Sequence, residues 1–125
     1  MLRTEAAKCR PRALAYPADV VGTVKRAIYD GAITFGVPYP TLLGLATCES
    51  GLRPQAVNRD HFGLFQFLRD TFRTASKRMR RETGIKARSV WNPLDASYAA
   101  GYLFATGQAV PSWHACLSGT TGFSR

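Results

Sequence analysis

Residues 42 to 54 read LLGLATCESGLRP and place a single carboxylate, Glu49, at the end of an apolar run and directly before a glycine. Leu42, Leu43, Leu45 and Ala46 are apolar nearly all round a helical wheel, the pattern of a helix sunk into a core. Thr41 is the expected cap of this helix, and Gly51 with Pro54 ends it. Glu49 then falls in the last turn. The helix dipole opposes an anion there, and burial among Leu and Phe opposes it further. Both effects raise the carboxyl pKa, as a general acid working near neutral pH requires. The competing reading is a surface ion pair with Arg53, four residues on.

The other seven acids have ordinary explanations. Glu5 lies in an N-terminal arm, Asp19 and Asp70 at helix starts, and Asp95 in the first turn after Asn92. Asp30 on the outer side of the first helix, Asp60 in a polar NRD loop and Glu82 in a cluster of arginines suit solvated or paired carboxylates. Glu49 alone lacks such an account.

Working outward, residues 1–16 read as an irregular arm, with Leu14 and Tyr16 able to pack on the body, and 119–125 as a frayed tail around a domain at 17–118. Pro17 opens a first helix through Val20, Val24, Ala27, Ile28 and Phe35, closed by Gly36 and Pro38. NRDHFGLFQFLRD reads as a loop or a short hairpin. Asp70 caps a basic third helix that ends at Gly84, and Asn92-Pro93 opens a fourth, with Leu94, Ala99, Tyr102, Leu103 and Ala105 as its buried side and Gly107 as its stop. A last turn covers PSWHAC. The expected class is mainly α, a small single domain of about four to six helices with room for a short hairpin.

The 125 residues suit one domain, and 46% hydrophobic with 20% charged residues suits a folded one. Seventeen Lys and Arg against eight Asp and Glu give a net charge of +9. A polyanionic partner follows, whether nucleic acid, anionic lipid or acidic wall polymer. Cys9, Cys48 and Cys116 show no CxxC spacing, so they leave room for one disulfide and one free thiol but not for a structural zinc. His61 and His114 have no ligand partner at suitable spacing, so no metal and no cofactor is expected. No run reaches the roughly 18 to 20 apolar residues of a membrane span, and the N-terminus has no apolar stretch of signal-peptide length.

CESGLRPQAVN followed by FGLFQF resembles the goose-type lysozyme and lytic transglycosylase superfamily, with its E-S-G helix end and downstream G-L-x-Q segment. NPLDASYAAGYLFATGQAVPSWHAC is similar to the later part of that domain in phage and actinobacterial wall-lytic proteins. The resemblance spans residues 40 to 116 and carries its landmarks in order. It implies a lysozyme-like α+β fold and cleavage of the β-1,4 bond between N-acetylmuramic acid and N-acetylglucosamine in bacterial peptidoglycan. Glu49 matches the catalytic acid, and Ser50 and Gln66 match positions near the scissile sugars. Phe67, Tyr98, Tyr102 and Trp113 are the further sugar-contacting candidates, although the phenylalanines as a group are expected mainly in the core and the family's A-Y-N-x-G form is missing. Cys48 and the W-x-x-C residue Cys116 form the candidate disulfide, with a Cys48 nucleophile as the competing reading and Cys9 left over.

A transglycosylase needs no second carboxylate, because an intramolecular hydroxyl closes an anhydro ring; a hydrolase would want one, and Asp60 is the nearest in sequence. The basic run Lys77 to Arg88 carries no nucleic-acid reading motif, and attraction to an anionic wall or outer-leaflet lipid explains it more simply. The expected setting is a monomeric phage lysin or virion-associated protein acting in the cell wall or periplasm, with a secreted bacterial enzyme as the alternative. Two other classes compete: a non-catalytic wall-binding or virion module on the same fold, and a basic membrane-active or nucleic-acid-binding protein.

Overall fold

The computed structural model describes residues 16–108 and 110–119. Helix α1, Gly22–Phe35, begins later than Pro17. Residues 17–20 instead form a turn closed by the Val20 amide on the Pro17 carbonyl at 3.0 Å. Gly36 ends α1 at φ 69, a left-handed conformation that glycine adopts without a Cβ clash, and its amide returns to the Ala32 and Ile33 carbonyls. Helix α2, Tyr39–Ser50, starts two residues before Thr41. Pro40 sits in its first turn, where a missing amide hydrogen costs nothing, and Pro38 rather than Thr41 is the cap residue.

A minimal antiparallel hairpin follows, β1 (Val57–Asn58) and β2 (His61–Phe62), with Val57 opposite Phe62 and Asn58 opposite His61. Helix α3, Arg69–Thr83, turns Phe72, Ala75 and Met79 inward at spacings of three and four and ends at Gly84. Asp70 lies inside its first turn instead of capping it. Helix α4, Pro93–Ala105, is capped as its sequence implies: the Asn92 side-chain oxygen accepts the Asp95 amide at 2.9 Å. Ala105 is exposed, so the buried stretch of α4 stops at Leu103.

Helix α4 is the centre of the fold. Ala96, Ser97, Ala99, Ala100, Gly101, Tyr102 and Leu103 are all buried, and α4 packs on α1 and α3. The approach to α1 is close because both helices carry glycine at the crossing. A Cβ on Gly31 would lie 2.5 Å from the Ser97 carbonyl oxygen, and one on Gly101 would lie 2.6 Å from the Gly31 carbonyl oxygen. Neither space exists for a side chain.

The C-terminal segment folds back as a 3-10 turn, Pro111–Trp113, and a π-turn, Ala115–Gly119. Cys116 in that turn is bonded to Cys48 of α2. The expected disulfide is therefore present, and Cys48 has no free thiol to act as a nucleophile. Tyr16 packs on the body, with its ring edge against Tyr29 and its hydroxyl donating to Asp30 at 2.9 Å. The rest of the proposed arm with Leu14 and Cys9, and tail residues 120–125, lie outside the described residues. The fold is mainly helical with one small hairpin, as the sequence suggests.

Candidate active site

Glu49 occupies the last turn of α2, and the chain leaves that helix through Gly51 at φ 64. The Gly51 amide returns to the Thr47 carbonyl at 2.9 Å, which closes the helix end and lets the backbone turn away beyond the acid. Glu49 is half-buried. Burial pushes its carboxyl above the usual carboxylate range, while the charge of His61 acts in the opposite direction. A carboxyl held toward its protonated form, yet still reachable from solvent, can donate a proton.

The segment from Gly51 to Phe67 follows this acid, carries His61 within electrostatic reach of it, and has an unusual backbone. Leu52, Arg59 and Gln66 have φ of 63, 61 and 54, and they are the non-glycine residues with positive φ among the described residues. Such conformations cost about 1–3 kcal/mol each and persist where surrounding structure over-determines them. Here the Gln66 amide group supplies part of that constraint. Its Nε2 donates to the Ala56 carbonyl at 3.2 Å and the Gly63 carbonyl at 2.9 Å. Two carbonyl acceptors fix the amide orientation, so Gln66 ties the hairpin to the loop behind it. The Phe62 and Phe67 backbones exchange hydrogen bonds of 2.9 and 3.0 Å across the same loop.

Ser50, beside Glu49, is buried, and its hydroxyl is occupied within the helix end. It donates to the Ala46 carbonyl at 3.0 Å and accepts the Arg53 amide at 3.2 Å. It therefore shapes the turn and offers no hydroxyl to a sugar in this arrangement. The Arg53 guanidinium donates to the Ser50 carbonyl at 2.9 Å, so it braces the helix end rather than forming the surface ion pair with Glu49.

The other aromatic candidates divide by burial. Trp113 is 0% exposed; its indole N–H donates to the Phe65 carbonyl at 2.9 Å, and its ring stacks on Phe104. Its polar edge is satisfied inside the protein, which removes the reason for expecting it in a cleft. Phe67 is 1% exposed, packed on Phe72 and Trp113. Tyr102 is 2% exposed and donates its hydroxyl to Glu82 at 2.8 Å, joining α4 to α3. These three belong to the core. Tyr98 is half-buried on α4 and packs against the same cluster.

The comparison with protein families decides the affiliation: residues 27–118, well over half of the chain, match the transglycosylase SLT domain family. This chain belongs to that family. No curated protein and no solved structure is significantly similar to it. The transglycosylase SLT domain acts on peptidoglycan, so the chain carries a lytic transglycosylase-like, lysozyme-like function.

Within this SLT domain His61, which the sequence marks only as an ordinary polar residue without metal-ligand partners, gains a neighbour in Glu49. Located on β2, it is within electrostatic reach of Glu49, and its Nδ1 lies 3.1 Å from Asp60 Oδ1 on the exposed hairpin turn. The signal was present as the dipeptide Asp60-His61 in a two-residue-strand hairpin, but only the return of the hairpin toward the end of α2 gives it meaning. Asp95 also does more than favour a helix dipole: its carboxylate accepts the Arg88 and Ser89 amides at 2.9 and 3.1 Å, anchoring the strap before α4.

Proposed function

We propose that the chain cleaves the β-1,4 bond between N-acetylmuramic acid and N-acetylglucosamine as a lytic transglycosylase, with Glu49 as acid and then base. The observation that carries this reading is a half-buried carboxyl with raised pKa at the end of α2, inside an SLT domain. Protonated Glu49 gives its proton to the glycosidic oxygen as the bond to the muramic C1 breaks. The resulting carboxylate takes the proton of the muramic C6 hydroxyl, whose oxygen bonds to C1 and closes a 1,6-anhydro ring. Glu49 ends protonated, no water is consumed, and the substrate's N-acetyl group can assist at C1, so a second protein carboxylate is not required. Tyr98, half-buried on α4, is the group we assign to the sugar hydroxyls, while Gln66, buried with both Nε2 donors occupied, shapes the loop.

A second reading, hydrolysis, draws support from one arrangement: the Asp60–His61 pair beside Glu49 could activate a water. The biological setting we propose is a phage-borne or virion-associated wall-degrading protein, supported by the W-x-x-C resemblance. A net charge of +9 would draw it to an anionic envelope. The test is Glu49→Gln. The variant should fold and sediment with purified peptidoglycan but release no muropeptides; undiminished release would overturn the assignment.

A further inference from the structure

A depression of about 450 Å³ lies between α3 and the strap formed by residues 86–91. It is lined by none of Glu49, Ser50, Gln66 or His61. Arg69, Arg73, Lys77 and Arg80 form one wall and Lys86 and Arg88 the other, and no lining residue is acidic. Arg73 pairs with Asp70 at 2.9 Å, and the Arg69 guanidinium covers the Phe62 ring at 4.5 Å. The side chains of Lys77, Arg80, Lys86 and Arg88 form no ion pair among the described residues, and the Asp95 carboxylate behind the strap is taken up by the Arg88 and Ser89 amides. On the floor, the Ser76 hydroxyl is out of solvent and unpartnered.

We propose that this groove binds a linear phosphodiester polymer of the cell wall, of the poly(glycerol phosphate) class. The α3 cations recur every three or four residues along one stripe, so successive charges stand about 4.5–6 Å apart along the helix axis. Such a polymer carries one negative charge per glycerol at comparable spacing, and a groove with cations on both walls meets its phosphates from two sides. Phe72 is packed on Phe67 in the core and Trp91 makes a T-shaped contact with Phe62, so a single half-buried ring, Trp91, lines the groove, short of the series of rings on which successive nucleic-acid bases stack. The exposed large apolar residues Val21, Ile33, Val57 and Leu68 take no part in the lining, so the groove presents no exposed large aliphatic side chain to acyl chains. The choice of polymer rests on the peptidoglycan reading, because such chains are found on the same wall.

The experiment measures binding of a fluorescent poly(glycerol phosphate) chain to the full protein by anisotropy, across a salt series. Wild type should bind with affinity falling steeply with salt. Lys77→Gln, Arg80→Gln and Lys86→Gln together should weaken binding at least tenfold and flatten the salt dependence, and Lys86→Gln alone should move it the same way. The matched charge change outside the groove, Lys25→Gln, Arg78→Gln and Arg81→Gln, should cost much less. Equal loss in both triple variants would reduce the effect to net charge and overturn the site. Tighter groove-dependent binding of single-stranded DNA or of anionic lipid vesicles would overturn the choice of polymer. Muropeptide release from polymer-free peptidoglycan should be unchanged in the groove variants. The failure of the groove and the failure of the Glu49 assignment are therefore separately visible.

Discussion

Cys48 is bonded to Cys116 across 68 residues of sequence, immediately before Glu49, so the helix end that carries the acid is covalently fixed to the C-terminal turn. Closing a loop of that length restricts the unfolded chain by about 4 kcal/mol in the chain-entropy treatment. Replacing both cysteines with alanine should lower stability by up to that amount in urea unfolding. Peptidoglycan cleavage should fall with it, because the same tether holds the end of α2. A double variant as stable as wild type would show that the bond constrains nothing.

Trp113 should behave as a core residue. Trp113→Ala should cost about 3–5 kcal/mol, the range for emptying a buried aromatic site, with Trp113→Phe losing less but still forfeiting the hydrogen bond to Phe65. Thermal unfolding measures both. A Trp113→Ala protein of native stability with a raised KM for peptidoglycan would instead mark a sugar platform.

The raised pKa of Glu49 has a consequence for stability. A carboxyl whose folded pKa lies above its unfolded value favours the folded state at low pH, and that contribution is lost as pH rises through the folded pKa. The ionised form is therefore the one its surroundings disfavour. Glu49→Gln should melt at or above wild type at neutral pH, and the difference should shrink or reverse on acidification below the ordinary carboxylate range. A variant that melts well below wild type at neutral pH would contradict the assigned environment.

His61 lowers the Glu49 pKa through its positive charge. In the pH profile of kcat/KM, loss of the protonated general acid sets the alkaline limb. His61→Ala removes the opposing charge, so Glu49 should hold its proton to higher pH and the alkaline limb should move upward. A limb that stays in place would show that His61 does not influence the acid during catalysis.

Much of this site was legible because its signals are local. Leu42, Leu45 and Ala46 declare a buried helix, Gly51 declares its stop, and Glu49 is conspicuous between them. Asn92-Pro93 likewise fixes the start of α4. What was not legible depends on distant partners. Whether Trp113 meets sugar or core is decided by the Phe65 carbonyl, 48 residues away, and Tyr102 is claimed by Glu82 on another helix. Helix starts differ where backbone chemistry overrides side-chain preference: α2 begins at Tyr39, with Pro38 as cap and Pro40 in the first turn, before Thr41 can cap it, and the Pro17 turn delays α1 to Gly22. Gly31 and Gly101 look like weak points in helices until the α1–α4 crossing leaves no room for a Cβ.

Mass spectrometry of purified peptidoglycan digested by wild type and by Glu49→Gln tests the central claim most directly. Wild type should release fragments ending in 1,6-anhydromuramic acid, and Glu49→Gln should release none. Fragments with reducing ends, one water heavier, would contradict the transglycosylase mechanism, and equal release by the variant would contradict Glu49 as its acid.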